Sequence, residues 1–303
     1  MKTSVKMKNE LPWSSQQMWI RVFVFYASIT ALLFILQLGI GTIIATTTDD
    51  LADYVFNSII YSITGVVGIG LTYIFLKYDD RPMKQIGFTK PNSSIIMFLV
   101  SAIITIPAVA IGFVIENTFE IIDVQQMGQN LIDNITLNPF FWVPLSVFTM
   151  LGIGVGEEII FRGYLFRLLE SNLSTFKTVT LTSVLFGALH TFLLVFNKTD
   201  TLNHMIAVGI SATFFGYMFA YAYLATGRNL LFPIAIHGFW DIYIFLFNTD
   251  FVYNNFFKVA MEIGSQILAG SFLLFCIYVY VYFYPPENPI PSWEKVKEES
   301  AHK

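Results

Sequence analysis

The chain has 303 residues, of which 55% are apolar and 17% aromatic, while only 13% are charged and the formal net charge is −4. Such a composition suits lipid rather than water, and the small, dispersed charge lacks the basic stripe that nucleic-acid binding requires. Its single cysteine, Cys276, excludes an intramolecular disulfide, a C-x-x-C redox pair and a thiolate cluster for metal.

In chain order, charge-free intervals cover Val22–Thr48, Tyr54–Leu76, Pro91–Ile115, Asn134–Gly156, Thr178–Asn197, Thr201–Gly227 (His204 aside) and Ile263–Pro286. Each approaches or exceeds the roughly 20 residues that cross a bilayer as a helix. Leu230–Phe247 is a less regular candidate, because it contains Pro233, His237 and Asp241. The expectation is an all-α membrane protein with about eight transmembrane helices. The first run exceeds a signal-peptide core of roughly 7–15 residues and no A-x-A-like site follows it, so it is expected to stay as an anchor. Residues 1–284 read as one polytopic domain and 285–303 as a short tail, Pro-rich and then charged.

An even number of spans puts both termini on one side, together with the loops around Lys77–Lys90, Arg162–Lys177 and Arg228. That side holds every Lys and Arg except Lys198 and Lys258, whereas the opposite loops carry Asp49, Asp50, Asp53, Glu116, Glu120, Asp123 and Asp133. Positive charge accumulates on the cytoplasmic face, so both termini are expected in the cytoplasm.

An ionisable side chain within hydrocarbon is costly unless it is paired or lines a wet cavity, which makes each one a functional candidate. Six stand out: Glu157, Glu158, Arg162, His190, His237 and Asp241. On a fourth helix running to about Leu169, Glu157 lies roughly 18 Å from the cytoplasmic end; His190 lies about 20 Å into the next helix and His237 about 12 Å into the seventh. Three helices can thus bring these groups to one level. Helical spacing sorts them further: Glu158 and Arg162, four apart, can pair, while Glu157 diverges from Glu158 by about 100°. Phe186 and His190 share a face of their helix. So do His237 and Asp241, which sets a carboxylate where it can hold an imidazole. Gly152 and Gly156 form a G-x-x-x-G surface for close helix approach rather than a phosphate cradle, which needs another glycine spacing and a preceding strand.

Taken singly, each feature has a structural reading: an ion-pair knot at a helix end, a core histidine bonded to backbone, a packed phenylalanine. His204 and His302 are assigned no role.

The ordered set is more specific. Glu157-Glu158-x-x-x-Arg162, Phe186-x-x-x-His190 and His237-x-x-x-Asp241, on separate hydrophobic helices, resemble the motifs of the CPBP family: type II CAAX prenyl endopeptidases and their bacterial relatives, also called Abi proteins. The resemblance implies an intramembrane endopeptidase whose site opens toward the cytoplasm. It implies that Glu157 and His190 hold and activate the attacking water, that His237 and Asp241 stabilise the oxyanion, and that Glu158, Arg162 and Phe186 support them. Eukaryotic members carry asparagine where this chain has Asp241. An ionised carboxylate cannot donate a hydrogen bond, so Asp241 either is protonated or holds His237 while the other ring nitrogen donates; the i, i+4 spacing favours the second. The expected partner is a membrane-associated protein or peptide substrate, in the plasma membrane if the source is bacterial, and prenylated CAAX substrates are not carried over. Glu157, His190 and His237 also form a two-His, one-Glu set that zinc accepts, but the chain lacks an H-E-x-x-H helix, so a metal-free mechanism is favoured. The competing functions are a non-proteolytic membrane regulator or bacteriocin self-immunity protein, and a proton-relay transporter, for which no inverted repeat is found.

Overall fold

The computed structural model describes residues 14–44, 50–88, 91–123, 125–129, 132, 147, 152–194, 201–247, 256–286 and 289–293. Regular structure among them is helical, without a strand: α1 (Ser15–Ile44), α2 (Asp50–Tyr78), α3 (Pro91–Thr118), α4 (152–170), α5 (Thr175–Leu194), α6 (Leu202–Ala225), α7 (Leu231–Phe247) and α8 (Phe256–Phe283). Among the described residues, five helical stretches are long and apolar enough to cross a membrane: Ser15–Leu36, Ile95–Thr118, Thr175–Leu194, Leu202–Ala225 and Phe256–Phe283. α7 has only 17 residues. Most of the expected Asn134–Gly156 interval lies outside the described residues.

The bundle is apolar on its outside as well as within. Phe23, Val66 and Phe275 are 73%, 68% and 65% exposed, and α1, α2, α3 and α8 each present further bare Ile, Leu, Val or aromatic side chains. Contiguous apolar surface of this kind is stable only against lipid, so the chain is an integral membrane protein.

Lipid supplies little hydrophobic drive between helices, and close backbone approach does the work instead. The Gly152–Gly156 face of α4 meets Gly65 of α2, where an added Cβ on Gly65 would stand 2.3 Å from the Gly152 carbonyl oxygen. Along the α5–α6 seam, a Cβ on Gly187 would meet Gly209 O at 2.5 Å, and one on Gly216 would meet Ser183 Cα at 2.7 Å. α6 also packs on α8, α8 on α3, and α3 on α7. α4, which carries the paired glutamates, packs against α1, α2, α5 and α6.

α4 is not the regular helix its sequence suggests. Residues 152–158 are α-helical, Ile159–Leu165 form a π-helix, and Phe166–Glu170 return to α. Such wide turns are uncommon and concentrate at functional sites; here it starts directly after Glu158.

Basic residues gather at one end of the bundle. Arg167 and Arg228 both pair with Glu170, donate to the carbonyls of Pro291 and Ile290, and so hold the tail. Trp293 lies under Arg81 and Arg167, whose guanidinium carbons stand 5.1 and 5.2 Å from its ring centroid. Gly227, at φ +70°, lets the tail close in, because a Cβ there would meet Pro286 and Pro289.

At the opposite end the expectation for Glu116 fails. It is not a loop residue but a fully buried member of α3, bonded to Ser265 and Gln266 of α8. α8 likewise begins before Ile263 and takes Glu262 into the bundle.

Candidate functional site

Three helices bring the sequence-selected residues together. Glu157 and Glu158 come from the last α-helical turn before the π segment, His190 from the end of α5, and His237 and Asp241 from successive turns of α7.

Arg162 and Glu158 form the base of the site. Both are fully buried, and Arg162 Nη1 donates to Glu158 Oε1 at 2.8 Å. Arg162 Nη2 donates to the Gly216 carbonyl at 3.0 Å, and the guanidinium lies over Phe186 and Phe219, 4.8 and 5.1 Å from their centroids. Phe186, chosen for sharing a face with His190, therefore covers the cation as well as the imidazole.

Glu158 also holds His237, whose Nδ1 lies 2.9 Å from Glu158 Oε1. Paired with Arg162, Glu158 is a carboxylate, so the imidazole is the donor. Phe219 stacks on the ring at 4.6 Å and 19° and fixes its plane. His237 Nε2 is consequently the nitrogen that faces the site, 3.4 Å from Asp241 Oδ2 and 3.7 Å from Glu157 Oε2.

This geometry corrects the expectation that Asp241 anchors His237 and frees the other nitrogen. The anchor is Glu158, one helix away, and Asp241 stands beside the working nitrogen at a distance longer than a good N–H···O bond. Spacing within α7 could not reveal this, because the rotation of α7 against α4 sets which nitrogen meets which carboxylate.

His190 Nδ1 lies 2.9 Å from the Phe186 carbonyl, which can only accept, so Nδ1 carries the proton. Its Nε2 then presents a lone pair toward Glu157 Oε2, 3.8 Å away. Glu157 Oε2 is buried without a hydrogen-bond partner. One unsatisfied carboxylate oxygen thus lies between two imidazole nitrogens, close enough for a water to touch both acceptors.

No group of three or more His, Cys, Asp or Glu side chains among the described residues is arranged to hold a metal ion.

A cavity of about 190 Å³ opens from His190, His237 and Asp241 and runs past Phe215 and Trp240 toward His204 and Glu262. His204 and Glu262 belong to the early turns of α6 and α8, at the end of the bundle away from the basic residues. His204, assigned no role from sequence, lines this passage.

Residues 139–243 match the family model described as Type II CAAX prenyl endopeptidase Rce1-like, a segment that includes every motif residue from Glu157 to Asp241. No curated protein and no solved structure matches the chain. Over residues 139–243 the chain is thus similar to the type II CAAX prenyl endopeptidases, the family that its ordered motifs resemble.

Proposed function

We propose that the protein is an intramembrane endopeptidase that hydrolyses a peptide bond of a membrane-associated protein or peptide with a water activated by Glu157 and His190. The observation that carries this reading is Glu157 Oε2, buried and unpartnered between His190 Nε2 and His237 Nε2 at 3.8 and 3.7 Å.

Glu157 takes one proton from the water, and the lone pair on His190 Nε2 orients the other. The resulting hydroxide adds to the substrate carbonyl carbon, and the negative charge moves to the carbonyl oxygen. His237 is placed to stabilise it. Its Nδ1–H is committed to Glu158, so donation to an oxyanion requires a second proton on Nε2. The flanking carboxylates of Glu158 and Asp241 balance the charge of a ring that donates from both nitrogens. When the C–N bond breaks, the proton on Glu157 passes to the leaving amine. A dry, prearranged donor of this kind accelerates acyl transfer more than one in water.

The same proposal takes the chain to cross the membrane about eight times with both termini cytoplasmic, residues 1–284 forming the membrane domain and 285–303 the tail.

The deciding experiment compares membrane proteins and released peptides, by mass spectrometry, from cells making wild-type chain or Glu157→Gln. Products should appear with wild type and fall by about 10²-fold or more with the variant, while membrane insertion is unchanged. Equal product from Glu157→Gln would end the assignment.

A further inference from the structure

Beyond the reacting groups, the cavity ends on Glu262 and Gln266, one turn apart on α8, with Phe215 and Trp240 between them and His237 and Asp241. Glu262 and Gln266 are only 4% and 7% exposed. Both carboxylate oxygens of Glu262 stand 3.3 Å from the same hydroxyl, Ser211 Oγ, which has one proton to give. Next to them, Glu116 Oε1 accepts from Ser265 Oγ at 2.5 Å and from Gln266 Nε2 at 2.7 Å. Glu116 Oε2 and Gln266 Oε1 are buried with no partner at all. No ion pair to either glutamate is found among the described residues.

Buried acceptors outnumber donors here, in a place where an unpaired carboxylate costs several kcal/mol. A group that brings several N–H donors and a positive charge down the cavity would satisfy Glu262 and the Gln266 oxygen together. The walls suit its stem: the rings of Phe215 and Trp240, 4.6 Å apart, offer apolar contact to methylenes and π-faces to a cation. At about 190 Å³ the space is smaller than the roughly 300–1,000 Å³ of pockets for whole small molecules, and fits one side chain.

We propose that the Glu262–Gln266 end of the cavity is a specificity subsite for a basic group of the polypeptide substrate: a lysine or arginine side chain, or an amino-terminal ammonium, lying close to the scissile bond. The proposal rests on the peptidase reading for the nature of the substrate, but binding can be tested without turnover.

The test uses full-length Glu157→Gln protein in detergent micelles and synthetic apolar peptides that differ at one central residue. That residue is lysine, arginine, norleucine or glutamate in acetylated peptides, and a further norleucine peptide has a free amino terminus. Affinities are read by fluorescence anisotropy of a carboxy-terminal dye. A basic peptide should bind about 10- to 100-fold more tightly than acetylated norleucine, the range for a charge-assisted bond. A gain with the free amino terminus alone assigns the site to a terminal ammonium. Adding Glu262→Gln should erase the margin, and Gln266→Leu, which removes no charge, should reduce it; size-exclusion profiles confirm that both remain folded. Equal affinity for all peptides, or a margin that survives Glu262→Gln, overturns the subsite. If the margin is present but wild-type protein cleaves none of the peptides and releases no products in cells, the peptidase reading fails and the subsite stands.

Discussion

Replacing Arg162 with methionine tests the energetic centre of the site. The substitution keeps an unbranched apolar stem but removes the guanidinium bonded to Glu158, the bond to the Gly216 carbonyl and the charge over Phe186 and Phe219. Breaking a buried pair by deleting one partner costs about 3–5 kcal/mol, because the other charge stays behind without compensation. The cation–π contacts, about 2 kcal/mol when desolvated, belong to the same desolvated group and do not simply add. Arg162→Met should therefore lower stability by about 3–5 kcal/mol in reversible unfolding from mixed micelles, followed by far-UV circular dichroism. The double variant Glu158→Gln/Arg162→Met should recover part of the loss, since it removes the stranded carboxylate as well. Arg162→Lys should fall between, because one ammonium cannot reproduce the guanidinium's fork to Glu158 and Gly216. If Arg162→Met unfolds within about 0.5 kcal/mol of wild type, the surface-like range, the buried Arg162–Glu158 pair is not what holds this part of the bundle.

Asp241→Asn should keep partial proteolytic activity with an altered pH–rate profile, whereas Asp241→Leu should lose about 10²-fold or more, the scale of one oxyanion donor; wild-type rates in Asp241→Leu would remove the residue from the site. Gly156→Ala should destabilise by about 1–3 kcal/mol, because its Cβ would lie 2.5 Å from Gly65 Cα, while Gly70→Ala, with nothing within 4 Å, should be neutral or stabilising in the same unfolding assay. Activity of purified enzyme should survive prolonged chelation; loss that zinc alone restores would assign a metal to Glu157, His190 and His237. For the orientation, single cysteines at Lys84, Lys177 and Asp123 in a chain lacking Cys276 should react with an impermeant thiol reagent in intact cells only at Asp123. Labelling confined to the two lysine positions would invert the topology.

The legible part of the site was local. Four-residue spacing placed Arg162 against Glu158 and Phe186 beneath His190, because one turn of helix makes those pairs neighbours whatever surrounds them. That Glu157, His190 and His237 could meet was legible for the same reason, since rise per residue is fixed, and both histidine Nε2 atoms stand 3.8 and 3.7 Å from Glu157 Oε2. The G-x-x-x-G face was read correctly as a contact surface, although its partner, Gly65, could not be named. Glu116 and Glu262 were missed because charges were used to end the spans. Each lies inside a helix end, where buried hydroxyl or amide groups receive it.

Sequence by itself determined a lipid-facing helical chain and the few residues able to carry chemistry inside it, because composition and helical period act through neighbours along the chain. Tertiary structure alone decided that Glu158 holds His237 Nδ1 and turns Nε2 to the site, that Glu157 keeps an unpartnered oxygen, and that the cavity ends on Glu262. Those outcomes depend on the rotation of α4, α6, α7 and α8 about their own axes. That rotation is set by side chains and glycine contacts far apart in the sequence, and no periodicity within one helix encodes it.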